Sequence, residues 1–128
     1  MNIDTVLLID DNAEFKKVVS KALEALTTWQ VLTGSSGLEA LEILNLKEPD
    51  VILMDVSMPD MDGLEAIEKI RQNKKLARIP IILITAKVLE DEMQHYSTLG
   101  LAGIVSKPFD PLLLHKRVEE IVSDWRNA

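Results

Sequence analysis

"VILMDVSMPDMDG", Val51 to Gly63, is the stretch that decides the fold. Four apolar residues, Val51-Ile52-Leu53-Met54, run without alternation into Asp55. An unbroken apolar run suits a strand covered on both faces. The Pro, Asp and Gly residues that follow are turn formers, and Asp60, Asp62 and Gly63 read as the turn and the start of a helix. A strand built for burial that ends in a carboxylate sets that carboxylate at the rim of a sheet.

The pattern repeats on either side. Val6-Leu7-Leu8-Ile9 and Ile81-Ile82-Leu83-Ile84 are also continuous apolar runs, and Trp29 to Thr33 and Ala102 to Val105 are weaker strand candidates. Helical periodicity lies between them. Phe15, Val18, Val19, Ala22 and Leu26 form one apolar stripe; Leu38, Leu41 and Leu44 form a shorter one; Leu64, Ile67 and Ile70 form a third. Ser36 with Glu39 three residues on has the form of a capping box. A polar segment from about 90 to 98 is the weakest helix. The last helix is expected from Asp110-Pro111, an N-cap followed by proline, through Leu114, Val118, Ile121, Val122 and Trp125. Five strands each followed by a helix predict an α/β domain, with a parallel sheet and helices on both faces.

Composition narrows the function. The 128 residues suit one domain, 1–128, and the last helix leaves no room within them for an output domain. A net charge of −7 and 4% aromatics argue against a nucleic-acid surface. With no cysteine there is neither a disulfide frame nor a thiolate metal site. No apolar run is long enough for a bilayer, and Met1-Asn2-Ile3-Asp4 lacks the basic and apolar regions of a signal peptide. The expectation is a cytoplasmic protein without membrane or nucleic-acid partners.

Polar residues gather where the strands end. Asp10 and Asp11 follow the first strand, Asp55 ends the third, Thr85 ends the fourth, and Ser106-Lys107-Pro108 follows the fifth. In an open parallel sheet, ligands bind outside the carboxyl ends of the strands. Two carboxylates roughly 5 Å apart repel by about 3 kcal/mol at an effective dielectric near 20. Hard oxygen ligands favour Mg²⁺, Mn²⁺ or Ca²⁺, and Mg²⁺ commonly shares its shell with phosphate oxygens. A lysine and a threonine beside such a cation are a point charge and a hydroxyl donor for phosphate.

This set resembles a response-regulator receiver domain of two-component signalling. The resemblance rests on Asp10-Asp11, Asp55, Met58-Pro59-Asp60-Met61-Asp62-Gly63, Thr85-Ala86 and Lys107-Pro108-Phe109, in that order along nearly the whole chain. It implies the flavodoxin-like (βα)5 fold with strand order 2-1-3-4-5. It implies that Asp55 is the phosphoacceptor for a histidine kinase or a histidine phosphotransfer protein. Asp11, Asp55 and the backbone carbonyl of Ser57 would bind Mg²⁺ (or Mn²⁺) directly, and Asp10 mostly through water. Lys107 would contact the phosphoryl group, Thr85 would swing its hydroxyl onto it, and Lys107-Pro108 would be a cis peptide. Output would reach a downstream protein target by phosphorylation-dependent contacts, and the family also allows a homodimer.

One residue departs from the pattern. Many receivers carry Tyr or Phe three residues before the lysine, where this chain has Ile104; the readout is expected to differ while phosphorylation survives. Ser57 and Lys87 resemble positions that vary in the family and tune access of water to the acyl phosphate.

Each of these residues also has a plainer reading. Asp10-Asp11-Asn12 and Thr85 could be helix caps, and Lys107 a solvated lysine. His95 and His115 read as surface residues, Trp29 and Trp125 as packing, and Met54, Met58 and Met61 as filler. Two other functions compete. A receiver-like interaction module would keep the pocket without using it. A haloacid-dehalogenase-like phosphatase would need an aspartate two residues after the nucleophile, where Ser57 stands. A signalling role rather than an enzyme is therefore expected.

Overall fold

The computed structural model describes residues 3–55, 63–86 and 99–127. Its order is β1 (Thr5–Ile9), α1 (Ala13–Leu26), β2 (Gln30–Gly34), α2 (Gly37–Leu46), β3 (Val51–Asp55), α3 (Gly63–Gln72), β4 (Ile81–Thr85), β5 (Gly103–Ser106) and α4 (Leu114–Asn127). All five strands are parallel, in the order β2-β1-β3-β4-β5. This is the expected flavodoxin-like sheet. The helix expected near 90–98 lies outside the described residues, as do Ser57, Lys87, His95 and Met58 to Asp62.

The continuous apolar runs are where the physics puts them. Every residue of β3 and β4 is buried. Alternation splits the strand side chains between two apolar clusters. On one face Leu7, Ile9, Ile52, Met54, Ile81 and Leu83 pack with Ala40 and Leu44 of α2 and with Ala66, Ile67 and Ile70 of α3. On the other, Val6, Leu8, Val51, Leu53, Ile82, Ile84 and Val105 pack with Val19 and Leu23 of α1 and with Val118, Ile121 and Val122 of α4. The edge strands β2 and β5 are only partly covered.

Four expectations are corrected in detail. The inner stripe of α1 is Phe15, Val19 and Leu23, a steady step of four; Val18 and Leu26 of the expected stripe are exposed. Leu38 is likewise exposed, because α2 turns Ala40 and Leu44 inward instead. The last helix begins at Leu114 rather than at Pro111. Asp110 caps a turn ahead of it, its carboxylate accepting from Leu112 N at 2.9 Å and its carbonyl from Leu113 N at 3.0 Å. The Ser36 cap forms as expected, with Oγ accepting from Glu39 N at 3.1 Å. Trp29 is buried in the core. His115 is not a plain surface residue: it is half-buried, and its Nδ1 is enclosed with no hydrogen-bond partner among the described residues.

Candidate functional site

Strand register assembles the site. Ile9 of β1 pairs with Met54 of β3, so Asp10 emerges beside Asp55. Asp55 in turn pairs with Ile84 of β4, which puts Thr85 one step beyond it on the neighbouring strand. Thr85 pairs with Ser106 of β5, and its carbonyl accepts from Lys107 N at 2.8 Å. The Lys107-Pro108 peptide is cis. Side-chain alternation then sorts the groups. Asp10, Asp55 and Lys107 continue the series that faces α1 and α4, whereas Thr85 continues the series that faces α2 and α3.

The three acids are held close, and two of them are out of water. Asp10 is 1% exposed and Asp55 and Thr85 are 2% exposed, while Asp11 is open to solvent. Carboxylate oxygens of Asp10, Asp11 and Asp55 all lie within 4.8 Å of one another. Lys107 Nζ is 3.1 Å from Asp10 Oδ2 and 3.5 Å from Asp55 Oδ2. Three carboxylates against one ammonium leave two formal negative charges in a largely dry pocket. At this spacing each carboxylate pair costs about 3 kcal/mol at an effective dielectric near 20, less for the pairs with solvated Asp11. An octahedral cation with oxygen bonds of about 2.1 Å needs ligand oxygens about 3–4 Å apart. The donor type of this triad fits such an ion, and its oxygens, within 4.8 Å of one another, need only a small adjustment to reach that spacing.

Local structure supports the placement. Asn12, rather than either aspartate, caps α1: its Oδ1 accepts from Phe15 N at 3.0 Å. Asp10 Oδ1 accepts from Asn12 N at 2.8 Å, which fixes its carboxylate plane and leaves Oδ2 turned to Lys107. The plain cap reading therefore holds for Asn12 and fails for Asp11, which stands in solvent beside the pocket.

Two aromatic residues belong to this neighbourhood; Phe109 came with the Lys107-Pro108-Phe109 motif, whereas sequence reasoning did not place Phe15 there. The Phe15 ring lies 4.3 Å from Lys107 Nζ, centroid to nitrogen, and Phe109 meets that ring edge-on at 5.8 Å and 84°. Periodicity marked Phe15 only as one member of a stripe. The usable signal was its position: it is the first inward residue of a helix that starts at the strand-end pocket.

Comparison with known proteins agrees with this geometry. Residues 6–119 match the family described as response regulator receiver domain. The chain is 30% identical over 118 residues to a chemotaxis protein CheY homolog of Campylobacter jejuni, with 91% of each chain covered. It superposes on the chemotaxis response regulator CheY4 of Vibrio cholerae with a TM-score of 0.85 and 30% identity, covering 94% of this chain and 99% of that one. It also resembles the receiver domain of the sensor histidine kinase PA1611 of Pseudomonas aeruginosa, at a TM-score of 0.81 and 27% identity over 99% and 100% of the two chains. In that structure a magnesium ion is coordinated in the active-site cleft.

Proposed function

The chain belongs to the response regulator receiver family, a phospho-accepting signalling module rather than an enzyme, and from that premise we propose that Asp55 takes a phosphoryl group from a phosphohistidine with Asp10, Asp11, Lys107 and Thr85 in the family's roles. The observation that carries this reading is the buried Asp10–Lys107–Asp55 arrangement with the Asp11 carboxylate within 4.8 Å, set at the carboxyl edge of the sheet.

The chemistry follows from the groups present. An Asp55 oxygen attacks phosphorus in line as the phosphorus–nitrogen bond to the donor imidazole breaks. The acceptor is anionic and held on a rigid strand end, so positioning supplies much of the rate. The Lys107 ammonium, already between two carboxylates, offsets charge on the transferred oxygens. Asp10, Asp11 and Asp55, together with the Ser57 carbonyl, would hold Mg²⁺, with Mn²⁺ as a substitute. When bound, that cation supplies positive charge opposite the equatorial oxygens. The product carries about −1.5 to −2 of phosphoryl charge. Thr85, buried on the next strand, is the residue to answer it with a hydroxyl. A change at Thr85 reaches the α2–α3 face, where Ile104 packs partly buried against the core. With no ring at that position, we assign the readout to movement of backbone and packing there, passed to a downstream protein target.

The donor is a histidine kinase or a phosphotransfer protein, and the place of reaction is the cytoplasm. No helix among the described residues is long and apolar enough to cross a membrane.

The test is intact mass after incubation with a small phosphodonor and Mg²⁺. We expect one added phosphoryl group on the wild type, and none on Asp55→Asn or in metal-free buffer. A wild type that binds Mg²⁺ and stays unmodified would favour the interaction-module reading.

A further inference from the structure

Lys107 has a third neighbour that the chemistry above does not use. Its Nζ lies within 3.5 Å of Asp10 and Asp55 and 4.3 Å from the centroid of the Phe15 ring. The contacts form a closed circuit. Asp10 Oδ1 accepts from Asn12 N, Asn12 Oδ1 accepts from Phe15 N, the Phe15 ring faces Lys107, and Lys107 returns to Asp10 Oδ2. Phe109, two residues beyond Lys107, braces the ring edge-on.

We propose that Phe15 is a positioning residue for phosphoryl transfer: the face of its ring holds the Lys107 ammonium at the phosphoryl site. The proposal rests on the receiver reading given above. Its physical basis is the ring quadrupole, whose negative face attracts a cation within about 6 Å of the centroid. A lysine ends in a strongly hydrated point charge on a flexible four-carbon stem, and the Lys107 side chain is 24% exposed. Without a ring, the alternatives open to it are water and rotamers directed away from Asp55. With the ring, the ammonium has a surface that attracts it 4.3 Å away. Phe15 can do this because α1 packs on the sheet face to which Asp10, Asp55 and Lys107 point, and because the Asn12 cap fixes the first turn of α1. The same ring lines an apolar groove of about 530 Å³ with Val18, Ala86, Pro108, Phe109 and Pro111. It therefore also bounds the site on the side away from the acids.

The test separates ring charge from ring size. Phenylalanines carrying one, two or three ring fluorines are placed at position 15, beside Phe15→Tyr and Phe15→Leu. Phosphorylation by a small donor at saturating Mg²⁺ is followed by intact mass, and the Lys107 side-chain resonances are followed by NMR without any donor. We expect the wild-type Lys107 Hε protons to lie upfield from the ring current, and to return to ordinary positions in Phe15→Leu. The transfer rate should fall stepwise with fluorination, by about three- to tenfold at three fluorines, the range of a partly desolvated cation–π contact. Phe15→Tyr should keep the wild-type rate and Phe15→Leu should lose it. A fluorinated series that reacts at the wild-type rate overturns the proposal and leaves the receiver reading intact, and so does the absence of an upfield shift at Lys107. A wild type that accepts no phosphoryl group overturns both, and is recognised by that result alone.

Discussion

Both ends of the sheet hold charged side chains, half-buried at the amino end and buried at the carboxyl end, and they use them in opposite ways. At the amino end, Asp50 Oδ2 accepts from the backbone N–H groups of Asp4 and Thr5 at 2.8 and 2.9 Å. Arg71 donates to the carbonyls of Ala77, Ile79 and Gly100, each at 2.9 Å, and its guanidinium lies 5.5 Å from the Trp125 ring. Burial lowers the Arg71 pKa from its usual value, but a guanidinium remains charged at neutral pH. These charges satisfy backbone and tie chain ends and loops to the sheet. At the carboxyl end the charges mostly answer one another. Asp10, Asp55 and Lys107 meet side chain to side chain, with an excess of acid. A charge that answers backbone groups is built for the fold; one poised against other side chains is built for a ligand.

The comparison breaks if removing an amino-end charge damages transfer or spares stability. Arg71→Met strips three carbonyls of their donor and Trp125 of its cation. Chemical unfolding should show a loss of about 3 kcal/mol, while transfer from a small donor to Asp55 stays within about twofold of wild type.

Metal sharpens the contrast. An ion that binds only the folded state adds RT ln(1 + [L]/Kd), about 2.7 kcal/mol at one hundred times Kd. Mg²⁺ at that excess should raise the unfolding free energy of the wild type by this amount. It should add little to Asp10→Asn or Asp11→Asn, and chelation should return the wild type to its metal-free value. Equal stabilisation of all three would place the ion elsewhere.

The same contrast explains what could be read from the chain. The three central strands were legible because a continuous apolar run has few alternatives. Asp10, Asp55 and Thr85 were legible because each stands directly after such a run, and Lys107 because it follows the weaker fifth strand by one residue. Asp11 was legible as a member of the acid triad, but its open position was not, since neighbouring aspartates look alike until the turn directs them. Phe15 was hidden because helical periodicity identifies an inward face without saying what lies under each turn. Leu23 was missed, and Val18 and Leu38 misplaced, because apolar residues on adjacent helical rows fit more than one stripe. Arg71 left no trace. A basic residue in the last turn of an amphipathic helix is ordinary, and its carbonyl partners come from loops that no local pattern predicts. Asp110-Pro111 has the form of a helix start, yet the same Asx chemistry makes a turn, and the turn won.

One paired measurement bears most directly on the claim that Asp55 is held at the strand end for chemistry rather than for the fold. It is the equilibrium unfolding of Asp50→Asn and Asp55→Asn in metal-free buffer beside the wild type. Asp50→Asn weakens charge-assisted bonds to two backbone N–H groups and should lose about 1–2 kcal/mol. Asp55→Asn removes repulsion from Asp10 and Asp11 at the cost of its share of Lys107, which still has Asp10. It should be as stable as the wild type or more stable by up to about 1 kcal/mol. An Asp55→Asn protein that loses as much stability as Asp50→Asn would contradict the account and make Asp55 a structural charge like its counterpart at the other end.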